Sequence, residues 1–137
     1  MRTISQEMAN FAYDVMRELP SKVSRNEFAS FIAGLPAMIL QNGLGHTLCF
    51  LLAKAYNQNA QKYEYDSEKY WPAFEAIVKW LSSRGLLDVE NVRNNPLQAI
   101  DEIIKKDLSN YLALQEETLR FLEWLKVMSK AGEYTGG

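Results

Sequence analysis

The chain has 137 residues, 47% of them hydrophobic, so it fits one domain of the common size (roughly 100–150 residues) and can bury a core without disulfide or metal. Its single cysteine, Cys49, excludes an internal disulfide framework and fits a reducing cytoplasm. A net charge of −2 argues against a stand-alone nucleic-acid binder driven by charge alone.

Helical periodicity dominates the pattern. Ile4, Met8, Phe11, Ala12, Val15 and Leu19 recur at steps of three and four, which predicts a first helix ended by Pro20. Ser24 with Glu27 reads as a capping box for a second helix, lined by Phe28, Phe31, Ile32, Leu35 and Ile39. Pro36 lies within that helix and is expected to kink or divide it near Gly34. Gly43 occupies the terminating position. A third helix follows, with Leu44, Leu48, Leu51, Leu52 and Ala55 as its apolar stripe. Residues 57–66 read as a frayed helix end and a loop.

A fourth helix is expected from Asp66 or Ser67, with Trp71, Phe74, Ile77, Val78 and Leu81 inward and Gly85 as its stop. Residues 86–95 carry loop chemistry, and Asn95–Pro96 opens a short fifth helix that runs to about Asp107. Ser109 is the expected cap of a long last helix, with Leu112, Leu119, Phe121, Leu122, Leu125 and Met128 apolar. The reading is an all-α, single-domain bundle of about six helices over residues 1–132, with a disordered tail at 133–137. The N-terminus enters an amphipathic pattern bearing Glu7 and Asp14, as expected without a signal peptide. The longest apolar run, Leu48 to Ala53, is far short of the roughly 20 residues of a membrane span.

No catalytic or metal-binding constellation emerges. One histidine and one cysteine make a zinc site improbable, and a carboxylate-bridged metal bundle needs two Glu-x-x-His pairs. His46 reads as a helix-start surface residue and Cys49, within an apolar run, as a buried thiol rather than a nucleophile. Asn42-Gly-Leu-Gly45 lacks the lysine and the preceding strand of a phosphate loop. Neighbouring carboxylates such as Asp101/Glu102 and Glu116/Glu117 point roughly 100° apart on a helix. The expectation is a binding protein with no cofactor.

The charge is unevenly spread. Residues 1–62 hold six Lys/Arg against four Asp/Glu, whereas residues 63–137 hold nine against thirteen. Any polyanion contact is therefore expected in the first half. Thr47, Lys54, Gln58, Gln61 and Lys62 read as a polar stripe on the face of the third helix opposite its core, and Lys22 and Arg25 flank the first inter-helix loop. These residue types suit phosphates and sugars rather than base edges.

The stretch from Gly34 to Lys54 resembles the small helical subunit of the type III-B CRISPR effector, the Cmr RNA-targeting complex. Leu35, Pro36, Ile39, Asn42, Gly43, Leu44, Thr47, Leu48, Phe50, Leu51 and Lys54 match that family's characteristic order. Ala9, Ala12 and Phe28 fit it upstream, and Thr118, Leu119, Phe121, Leu122, Trp124, Leu125 and Lys126 give a similar ending. The middle, from about residue 60 to 108, is variable. The sequence departs from the pattern at Met8 and at Leu114–Gln115, where basic residues are expected.

The resemblance implies a noncatalytic, cytoplasmic subunit that stacks with other copies of itself beside the backbone subunits holding the guide RNA. It would contact target RNA in the guide–target duplex, while the backbone subunit cleaves and the polymerase-like subunit signals. Avidity along a filament then replaces strong single-site affinity. The expected RNA-binding residues are Lys22, Arg25, Gln41, Lys54 and Lys62. The alternative is an adaptor that docks only protein.

Overall fold

The first helix, α1 (Ile4–Arg17), opens with a capping box that sequence reading missed. In the computed structural model, which describes residues 2–132, the Thr3 hydroxyl accepts the Gln6 amide at 3.1 Å, and the Gln6 side chain accepts the Thr3 amide at 2.8 Å. Met8, Ala12 and Met16, four apart, form its buried line. Ile4 is half exposed instead of inward. The second helix, α2 (Arg25–Asn42), is capped by the Ser24 hydroxyl, which accepts the Glu27 amide.

Pro36 does not divide α2, which stays one helix. An internal proline costs about 3 kcal/mol, but Ile32, Leu35 and Ile39 on either side of it are fully buried. The helix is held along its length against α6 and α3, so packing overrides the local penalty.

Gly43 joins α2 directly to α3 (Leu44–Ala55). The expected loop after α3 holds a two-stranded antiparallel hairpin, β1 (Tyr56–Asn57) and β2 (Lys62–Tyr63), with Tyr56 opposite Tyr63. Their rings meet edge to face at 5.1 Å. Asn57 accepts the Ala60 amide inside the turn, and Gln61 takes a left-handed conformation (φ +55°). No Asn-Gly or Asp-Gly pair announces this hairpin.

The fourth helix, α4 (Tyr70–Ser83), starts later than expected and is buried almost all round, as befits a central element. Trp71, Phe74 and Ile77 are fully buried on it, and Gly85 ends it at φ +73°. The short α5 (Pro96–Ile104) covers α3. The long α6 (Leu108–Lys130) lies along α1 and α2. Its cap is Asp107, whose carboxylate accepts the Asn110 amide at 2.9 Å, and not Ser109.

The buried stripe of α6 is Leu114, Thr118, Phe121, Leu122, Leu125 and Ser129. Leu112, expected inward, is half exposed because it lies about 200° around the helix from Leu114. Thr118 enters the core by donating its hydroxyl to the Leu114 carbonyl at 2.8 Å. Phe11, Trp80 and Phe121 knit α1, α4 and α6 together, Trp80 stacking on Phe121 at 5.5 Å. The expected disordered tail, residues 133–137, lies outside the described residues.

Candidate nucleic-acid interface

The turn within the motif is a structural joint. Gly43, at φ +89°, donates its amide to the Ile39 carbonyl, and its own carbonyl accepts from the Thr47 amide and hydroxyl. It has no side chain with which to cap α3, and α6 supplies what is missing. Gln115 accepts the Leu44 amide and the Tyr111 hydroxyl accepts the Gly45 amide, both at 3.0 Å. A Cβ on Gly43 would lie 2.8 Å from that hydroxyl, so glycine permits the approach. The amides a phosphate loop would offer are therefore occupied. Leu114 and Gln115, the departures from the family pattern, are a core residue and a cap.

Two residue assignments on α3 are corrected by this geometry. Thr47 is fully buried, not part of a solvent-facing stripe: it falls inside the apolar arc and satisfies its hydroxyl on Gly43. Cys49 is exposed, not buried. His46, Cys49 and Ala53, at helical spacing, form the outward line of α3. No hydrogen bond joins His46 to Cys49.

The expected RNA-binding residues are distributed as follows. Lys22 is exposed in the α1–α2 loop. Arg25, at the start of α2, is half-buried and donates to the Met16 carbonyl at 3.4 Å, which ties it to the C-terminal end of α1. Gln41 is exposed near the other end of α2, about 24 Å from Arg25 at 1.5 Å per residue. Lys54 is exposed in the last turn of α3, and Lys62 is exposed on β2. Phe31 of α2 and Phe50 of α3 both touch Tyr70, so the later half of α3 lies near the first half of α2. The fold thus gives Lys54 and Lys62 a common region and leaves Gln41 apart.

Charge compensation is concentrated in one stretch of the chain. Every cation from Lys79 to Lys126 except Lys106 sits in an ion pair. Lys22, Lys54, Lys62 and Lys69 have none among the described residues. Sequence reading missed Lys69, because its segment was taken as the start of a helix rather than the shoulder of one. The ammonium of Lys69 lies 5.7 Å from the Phe31 ring centroid and 4.9 Å from that of Tyr70, and Lys54 lies 5.9 Å from that of Phe50.

The least exposed ion-paired carboxylates are engaged by partners. Glu75 lies between Arg93 at 3.0 Å and Lys79 at 3.7 Å, and this hydrogen bond is the main cause that holds the Arg93 guanidinium above its ordinary pKa. Glu117 accepts the Trp80 indole at 2.8 Å and faces Arg120. Glu75 and Arg93 line a cleft of about 320 Å³ with Phe11, Asp14, Val15 and Tyr65. Among the described residues, no group of three or more His, Cys, Asp or Glu could hold a metal ion. Nor is any described helix long and apolar enough to cross a membrane.

Comparison with known proteins bears directly on this architecture. A stretch of 58 residues is 38% identical to the protein named CRISPR system Cmr subunit Cmr5 from Thermotoga maritima, covering 42% of this chain and 44% of that protein. The family model described as CRISPR-associated protein (Cas_Cmr5) matches residues 4–132, from the first turn of α1 to just beyond the end of α6. The chain belongs to the Cas_Cmr5 family of CRISPR-associated proteins.

Proposed function

We propose that this protein is a noncatalytic small subunit of a Cmr (type III-B) CRISPR effector complex in the cytoplasm and contacts the backbone of target RNA paired to the guide. Family membership and the name of the relative support the place in the complex. The observation that carries the RNA contact is the set of lysines without carboxylate partners, Lys22, Lys54 and Lys62, against the run from Lys79 to Lys126, where every cation but Lys106 is ion-paired. A lysine with no internal partner gives up no ion pair when it meets a phosphate. Arg25, anchored on α1, and Gln41, at the far end of α2, complete the proposed set.

Backbone and polymerase-like subunits supply the chemistry in this reading, and further copies of this chain stack beside it. No cofactor is required. The adaptor reading has its own support: Leu40, Leu97, Ile104 and Leu108 are all more than half exposed, and none is a phosphate ligand. In a filament subunit such side chains meet neighbouring proteins.

Crosslinking from target RNA in the reconstituted complex separates the readings. Crosslinked peptides from α3 or the hairpin are expected. Crosslinks to other subunits with none to this one would leave the adaptor.

A further inference from the structure

Three half-buried rings from three helices converge beside the uncompensated lysines. Phe31 of α2 and Tyr70 of α4 meet edge to face at 5.3 Å, and Phe50 of α3 reaches the same tyrosine at 6.3 Å. In Phe11, Trp80 and Phe121 a comparable trio closes over itself, with Trp80 and Phe121 buried. Phe31, Phe50 and Tyr70 instead lie at the border of the core and keep part of their surface in solvent. Lys54 and Lys69 lie against this surface, and neither is in an ion pair.

Aromatic surface rimmed by lysines free of carboxylates fits a nucleotide: the ring takes the base and the ammonium takes its phosphate. The exposed aliphatic side chains Leu40 and Leu112 line a groove between α2 and α6 that has no cation, as suits a protein surface instead.

We infer that the Phe31–Phe50–Tyr70 cluster, with Lys54 and Lys69, is a stacking site for an unpaired RNA base. This rests on the RNA-contact reading and extends it from backbone phosphates to a base. It requires a nucleotide outside a duplex, since a paired base has no free face to offer. Lys69 lies over two of the rings in the free protein, and its long side chain can swing from the rings onto the phosphate as the base arrives.

The test uses the full chain at low salt, with a short single-stranded oligo(U) and the same RNA annealed to its complement. Phe50→Leu with Tyr70→Leu keeps both side chains apolar and removes two stacking surfaces. It is expected to weaken single-strand binding about 5-fold or more and to leave duplex binding unchanged. Lys54→Glu is expected to weaken both. Equal single-strand affinity in the leucine pair, with loss on Lys54→Glu, overturns stacking and leaves the backbone contact standing. No change in any variant overturns both.

If the leucine pair binds RNA normally but fails to join the effector complex, the cluster is a protein contact and the proposal falls. Photocrosslinking of wild-type protein with 4-thiouridine in the single strand guards against a variant that misfolds. The expected adduct is on Phe31, Phe50 or Tyr70, and adducts confined to other elements overturn the site.

Discussion

Removing the two caps that α6 places on α3 tests the joint at the centre of the fold. Tyr111→Phe deletes only the hydroxyl that accepts the Gly45 amide, and Gln115→Met keeps side-chain length while losing the oxygen that accepts the Leu44 amide. Each bond is partly buried and neutral, so each loss costs about 1 kcal/mol, within the range for helix caps. Because both act on one helix end, the pair reaches about 2 kcal/mol or slightly less. For a chain of 137 residues, 1 kcal/mol corresponds to about 3–4 °C in Tm. Thermal melts by circular dichroism should therefore show each single variant lowered by about that much and the double by about twice it. Tyr56→Phe, on an exposed ring, is the control and should not move. Wild-type melting of both single variants would refute the claim that α6 caps α3.

Three further outcomes follow from the same geometry. Gly43→Ala should cost about 1–3 kcal/mol, measured by urea unfolding, because it strains a residue at φ +89° and pushes Tyr111 off its amide. Cys49 should react with a maleimide in the native protein without denaturant, since it is exposed; protection until unfolding would contradict its placement. Burial, then the neighbouring Tyr56 and Tyr65, raise the Tyr63 pKa above 10.0, so its phenol favours the folded state below that pH. That stability is lost as pH rises through the folded-state value, and Tyr63→Phe should flatten the alkaline fall in Tm.

The helices were legible because their stripes are: Met8 and Ala12 on α1, Phe28, Ile32, Leu35 and Ile39 on α2, and Trp71, Phe74 and Ile77 on α4 all went where a 3.6-residue period sends them. The errors have physical causes. Thr47 is polar by type, yet a hydroxyl bonded to a carbonyl four residues back can be buried. Cys49 sits in an apolar run, but a run five or six residues long covers every side of a helix. The hairpin turns on Gln61 rather than a glycine and so carried no turn signature. The motif that revealed the family proved to be a joint between helices, completed by Tyr111 and Gln115, which lie more than sixty residues away in sequence. The convergence of Phe31, Phe50 and Tyr70 is likewise tertiary: no spacing links residues on three helices.

The central claim is that uncompensated lysines of this subunit contact RNA phosphates in the assembled complex. The most direct measurement is the salt dependence of target-RNA binding by a reconstituted complex carrying Lys22→Glu and Lys54→Glu. Each lost phosphate contact should reduce the slope of log Kobs against log salt by about 0.9, so a shallower slope and weaker binding at low salt are predicted. Superimposable lines for the variant and the wild type would contradict the claim.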